Sequence, residues 1–75
     1  MLYRETDMKR LACEALKHKY EAQQKDALFV YANYTNNPAG IGEHPDLLEE
    51  MDKAVQAWAD AEDKLAALEV LDSEA

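Results

Sequence analysis

The residues that could carry chemistry fall into a few small groups, and the first surrounds the single cysteine, Cys13. Glu14 and His18 are four residues apart, so on a helix they share one face and can form a mild ion pair. A nucleophilic thiol needs a base within hydrogen-bond reach. His18 lies five residues after Cys13, which places it about 140° around a helix. We therefore predict no catalytic residue here and expect Cys13 to be a small buried apolar side chain.

A metal site is the second possibility, because His44 lies beside Glu43 and close to Asp46 and Glu49. These side chains leave the backbone in diverging directions, and they lack the spacing of the usual ligand sets. We therefore predict that neither a metal nor another cofactor binds here. His44 is expected to cap the following helix or to pack against the loop.

Pairs of carboxylates support an alternative hypothesis, because all-α pyrophosphohydrolases hold magnesium between acidic pairs on facing helices. Acidic pairs with that spacing occur at residues 49–52 and 60–63. The first half of the chain supplies no second pair, since Glu14 and Glu21 are seven residues apart with a lysine between them. We therefore predict that the protein is not an enzyme. The alternative is that it is a relative of these metal-dependent nucleotide hydrolases.

The chain bends once, because its two glycines and two prolines all lie within residues 38–45. Asn36 and Asn37 precede them and tolerate the left-handed conformation that ends many helices. A phosphate-binding loop would need a preceding strand and more glycines than the pair around Ile41. We predict a purely structural loop over residues 36–44, with Ile41 turned inward.

On both sides of this loop, apolar residues recur with the period of an amphipathic helix. This pattern predicts a first helix over residues 6–35, capped by Thr6 or Asp7, and a second over residues 45–71, with Pro45 in its first position. The spacing alternates between three and four residues, as in coiled coils, and predicts one domain, an all-α antiparallel two-helix hairpin. The predicted hairpin core is Leu16, Tyr20, Ala27, Val30, Tyr34, Ile41, Leu47, Met51, Trp58, Leu65 and Leu68, and the same spacing passes through Gln23, Ala54 and Ala61.

A second apolar stripe runs along the first helix, about 80 to 140° around from the core positions. This outer stripe consists of Met8, Leu11, Ala15, Ala22 and Phe29. A chain of 75 residues builds only a marginal core by itself, and one hairpin would leave the stripe in water. We therefore predict a homodimer in which two hairpins form a four-helix bundle. Docking of the stripe on a different protein is the alternative.

Charge is distributed unevenly along the chain. Residues 1–37 carry six Lys or Arg against five Asp or Glu, whereas residues 38–75 carry two against eleven. Such an acidic surface repels phosphates, so direct nucleic-acid binding is not expected. A further alternative is an acidic mimic of nucleic acid that blocks a DNA-binding protein. One cysteine excludes an internal disulfide, and no apolar stretch could span a membrane. We therefore expect a cytoplasmic protein without a membrane partner.

The run NPAGIGEHPDLLEEMDKAVQAWADAEDKLAAL resembles small helical-hairpin proteins of tailed bacteriophages, including phages of marine bacteria. The resemblance covers roughly residues 27–68 and is most specific over residues 37–46. Those proteins have no assigned activity, so the resemblance implies a phage or environmental origin and a helical hairpin. It also implies a host or phage protein as partner, in the cytoplasm of the host cell. The expected function is a non-enzymatic protein-interaction or structural module.

Overall fold

The computed structural model describes residues 4–36 and 46–73, and two α-helices contain all of these residues except the first of each segment. Helix α1 spans Glu5–Asn36 and helix α2 spans Leu47–Ser73. No strand occurs within these two segments, so the predicted all-α class is confirmed. Neither of the two helices has an apolar stretch long enough to cross a membrane.

Helix α1 begins one residue earlier than predicted. The carbonyl oxygen of Arg4 accepts a hydrogen bond from the backbone N–H of Met8 at 2.9 Å, which makes Arg4 the N-cap residue. Thr6 and Asp7, the predicted caps, lie inside the first helical turn instead. The Asp7 carboxylate pairs with the Arg4 guanidinium, with 3.4 Å between Oδ2 and Nε.

The other end of α1 also differs from the prediction. Asn36 was expected to begin the loop, but it is the last residue of the helix. No residue other than glycine has a positive φ within the described segments, so Asn36 does not adopt the left-handed conformation. The hydroxyl of Thr35 donates to the carbonyl oxygens of Tyr31 and Ala32 at 3.1 Å. Such bonds to the carbonyls three and four residues earlier are the local side-chain bonds that a Thr makes within a helix, and they supplement the backbone hydrogen bonds.

Helix α2 begins at Leu47, two residues after the predicted start at Pro45. The carbonyl oxygen of Asp46 accepts a hydrogen bond from the backbone N–H of Glu50 at 2.9 Å, so Asp46 is the N-cap residue. Glu49 and Glu50 then place negative charge at the positive end of the helix dipole. The predictions for Asn37, Pro38, Gly40, Ile41, Gly42, Glu43, His44 and Pro45 concern residues outside the described segments.

The two helices pack against each other in antiparallel fashion along their length. The amide Nε2 of Gln24 donates a hydrogen bond to Oε2 of Glu62. The ammonium nitrogen of Lys64 lies 5.5 Å from the centre of the Tyr20 ring. As the residue number rises along α1 from Tyr20 to Gln24, the number of the residue contacted on α2 falls from Lys64 to Glu62, so the predicted antiparallel pairing is confirmed.

The helices are in closest contact at three alanines. Ala27, Ala54 and Ala61 are 4%, 6% and 1% exposed, and they are the only buried residues in the two described segments. The distance between packed helices depends on the side chains at the contact, and a single methyl group permits a close approach. Larger side chains are consequently placed at the margins of the contact.

The predicted core residues lie around these alanines but are less buried than the word core implies. Leu16 and Trp58 each keep 38% of their surface exposed. Each helix has a neighbour on one side only, so large side chains beside the contact line are incompletely covered. The half-buried members of the set are Tyr20, Val30, Tyr34, Leu47, Met51, Leu65 and Leu68, and Gln23 is half-buried as well.

Replacing Ala61 with Leu tests the close contact. Ala61 is 1% exposed, so a larger side chain must displace the opposite helix or adopt a strained rotamer. We expect the free energy of unfolding to fall by about 1–3 kcal/mol, measured by thermal and urea denaturation followed by circular dichroism. Ala67→Leu, at an exposed position of α2, is the control and should change stability by less than about 0.5 kcal/mol. Equal stability of the two variants would contradict close packing at Ala61.

Candidate functional site

Two depressions lie between the helices, and the larger is lined mainly by charged side chains. It has a volume of about 630 Å³ and is lined by Arg10, Cys13, Glu14, Lys17, Glu21, Leu65, Leu68, Glu69 and Asp72. We call it the charged groove. Four of its residues are acidic and two are basic, so negative charge predominates.

The smaller depression exposes only carbon. It has a volume of about 170 Å³ and is lined by Ala27, Leu28, Tyr31, Ala54, Val55 and Trp58. We call it the apolar pocket. Two of the three buried alanines, Ala27 and Ala54, line it, and its other lining residues include Leu28 and Val55, which remain 54% and 51% exposed. The pocket is therefore a place where apolar surface from another molecule could be buried.

Both depressions open on the same face of the helix pair, which we call the grooved face. Residues at intervals of seven connect them: Lys17, Gln24 and Tyr31 on α1, and Val55, Glu62 and Glu69 on α2. Seven residues make nearly two helical turns, so each set runs along one side of its helix. The hydrogen bond between Gln24 and Glu62 joins the helices between the two depressions. The grooved face is thus apolar towards Asn36 and Leu47, and charged towards the opposite end of the pair.

Cys13 is half-buried in the charged groove, and His18 is not among the residues that line that groove. Partial burial raises the pKa of the Cys13 thiol, and a hydrogen bond to the Asp72 carboxylate together with its negative charge raises that pKa further, against a smaller opposing effect of Lys9. The thiolate is the reactive form of cysteine. The Cys13 thiol is therefore a poor nucleophile at neutral pH.

His18 pairs with Glu21 and not with Glu14, the partner expected from the sequence. Its Nδ1 lies 3.7 Å from Oε1 of Glu21. Residues three and four positions away both share a face of the helix with His18, so the sequence alone does not choose between the two carboxylates. The His18 side chain is 79% exposed, and ion pairs at such exposure contribute little to stability.

Within residues 4–36 and 46–73, no group of three His, Cys, Asp or Glu side chains is placed to hold a metal ion. The acidic pairs at residues 49–52 and 60–63 both lie on α2. All four of their side chains are exposed. Carboxylates on exposed positions of one helix are typical of a solvated helix face.

The outer stripe is exposed along α1. Met8, Leu11 and Phe29 keep 49%, 42% and 71% of their surface open, and Ala15 and Ala22 are exposed as well. Phe29 follows the buried Ala27 by two residues, which turns it about 200° around the helix. The structure thus brings these five residues together on a side of α1 that α2 does not cover.

No protein-family model, curated protein or solved structure matches this chain. The function must therefore be inferred from the surfaces that the two helices present.

Replacing Asp72 with Asn tests whether the start of α1 lies beside the end of α2, as the shared groove of Cys13 and Asp72 indicates. Loss of the carboxylate lowers the pKa of the Cys13 thiol, so more thiolate is present at a given pH and alkylation by iodoacetamide becomes faster. Mass spectrometry across a pH series measures the rate. Glu69→Gln removes the same charge from the groove and should accelerate the reaction less. Alkylation of the Asp72→Asn variant at the unmodified rate would contradict this placement.

Proposed function

We propose that this protein is a non-enzymatic protein-interaction module that works as a twofold homodimer of helical hairpins. The observation that carries the proposal is the exposure of the outer stripe, above all of Phe29, which is 71% exposed. A large aromatic side chain gains free energy when a second surface removes it from water. The outer stripe is therefore the surface on which the two copies meet.

The large accessible surface of the chain supports the proposal that it binds a second copy. The chain exposes 6180 Å², whereas a compact monomer of 8.5 kDa exposes roughly 4,700 Å². The excess of about 1,500 Å² is larger than the roughly 800 Å² that each partner contributes to a standard interface. The radius of gyration of 17.3 Å likewise exceeds the value of about 11 Å for a compact domain of this length. A single hairpin has enough open surface for a dimer interface.

The spacing of the outer stripe suits a twofold axis. Met8 and Phe29 lie at equal distances along the sequence from a midpoint at residues 18–19, and Ala15 and Ala22 share this property. Two α1 helices that pack in antiparallel fashion about this midpoint place Met8 of one copy opposite Phe29 of the other. Alanine then faces alanine nearer the axis, where small side chains permit close approach. The result is a four-helix bundle with the two α1 helices in contact.

Replacing Phe29 with Glu tests the dimer. A carboxylate at this position would be buried without a partner at the interface, so we expect the dissociation constant to rise by at least about tenfold. Phe29 is turned away from α2, so the helix content should be preserved. Sedimentation velocity measures the association, and circular dichroism measures the helix content.

A matched control separates the stripe from general effects of added charge. Val70→Glu places the same charge on α2, at a position that is 57% exposed and lies outside the stripe, and it should leave the dimer intact. Equal weakening by both variants would exclude the stripe as the interface. Sedimentation of the unmodified protein as a monomer at micromolar concentration would exclude the dimer itself.

A further inference from the structure

We propose that the grooved face is a docking site for a basic amphipathic helix of another protein. One apolar side chain of that helix enters the apolar pocket, and its Lys or Arg side chains lie over the charged groove. This surface is separate from the outer stripe, because Tyr31 on the grooved face and Phe29 on the stripe are two residues apart and so lie about 200° apart around α1. The proposal thus adds a second binding surface to the one used for dimerisation.

The apolar pocket provides the anchor point. Its volume of about 170 Å³ is smaller than the roughly 300–1,000 Å³ of pockets that bind small molecules. It suits a single side chain, and apolar anchors that fill such pockets dominate many protein interfaces. Leu28, Val55 and Trp58 are 54%, 51% and 38% exposed, so all three would lose contact with water when the pocket is filled. The size of the pocket therefore favours a protein side chain over a metabolite.

Charge complementarity identifies the kind of partner. The charged part of the grooved face carries five carboxylates against two cations, a net charge of −3: Glu14, Glu21, Glu62, Glu69 and Asp72 against Arg10 and Lys17. Such a surface attracts basic segments and repels acidic ones. A second copy of this chain has a net charge of −8 and is a poor electrostatic match. The favoured occupant is therefore a basic partner.

The shape of the face favours a helix. A pair of packed helices leaves a trough along its face, and an amphipathic helix can lie in such a trough with its apolar side inward. From Leu28 to Glu14, or from Val55 to Glu69, is 14 residues, which spans about 20 Å along a helix. A partner helix of about four turns therefore reaches from the apolar pocket to the charged groove. Its apolar anchor and its basic residues should lie at opposite ends.

Trp58 makes occupancy of the pocket measurable, because it lines the pocket and is the single tryptophan of the chain. The probe is a synthetic peptide of Leu and Lys, spaced so that a helix carries Leu on one side and Lys on the other. It is titrated into the full chain. The control peptide has Glu in place of every Lys. We expect a saturable blue shift of Trp58 emission with the Lys peptide, which salt weakens, and no shift with the Glu peptide.

Two matched pairs of variants locate the binding surface. Val55→Glu and Val70→Glu add the same charge to α2 at positions that are 51% and 57% exposed, but Val55 alone lines the pocket. Val55→Glu should weaken binding of the Lys peptide by at least about tenfold, even though its carboxylate attracts lysine, whereas Val70→Glu should not. Glu69→Gln should weaken binding and reduce its salt dependence, whereas Glu49→Gln, outside the groove, should do neither. Circular dichroism of each variant verifies that the helices are intact.

Equal weakening by the two valine variants, or equal binding of the two peptides, would overturn the proposal. It would also be overturned if Trp58 emission shifted with protein concentration in the absence of peptide and Val55→Glu abolished that shift. In that case a second copy of the chain would occupy the grooved face.

Discussion

Contact between α1 and α2 through three small side chains is the constraint on which the rest of the structure depends. Ala27, Ala54 and Ala61 are the only buried residues of the described segments, and no large side chain there is fully buried. A small core of this kind removes little apolar surface from water. The contact between the two helices therefore gives the hairpin only part of the stabilisation that burial of all its apolar side chains would give. The apolar surface that remains open is available for contacts with other molecules.

That open surface is divided between two sides of α1, which separates the two proposed contacts. Phe29 lies on the outer stripe, whereas Leu28 and Tyr31 line the apolar pocket on the grooved face. A helix with apolar residues on more than one side can pack against more than one neighbour. The proposed dimerisation through the stripe would therefore leave the grooved face, with its acidic residues, open to a partner. In the proposed complex, Glu62, Glu69 and Asp72 of α2 would belong to a recognition surface.

The helices could be predicted because the helical spacing of the apolar residues and the cluster of glycine and proline are both signals within short stretches of sequence. Their N-terminal ends were misplaced by one or two residues because the caps use the backbone carbonyls of Arg4 and Asp46, which any residue type can supply. The prominence of Ala54 and Ala61 was missed, although both lie on the predicted spacing, because large apolar residues were expected to dominate the core. Cys13 and Asp72 line the same groove although they lie near the start of α1 and the end of α2, and no local pattern indicates this.

The central claim, that α1 and α2 meet at the alanines in this register, is tested most directly by nuclear Overhauser effects of the Trp58 indole. The single tryptophan gives unambiguous assignments, and the Phe29→Glu variant, which we expect to be monomeric, removes contacts between copies. Ala27, Tyr31 and Trp58 line one pocket, so the indole protons should show cross-peaks to the Ala27 methyl group and the Tyr31 ring. Cross-peaks from the indole to residues of α2 alone would contradict the packing of the two helices.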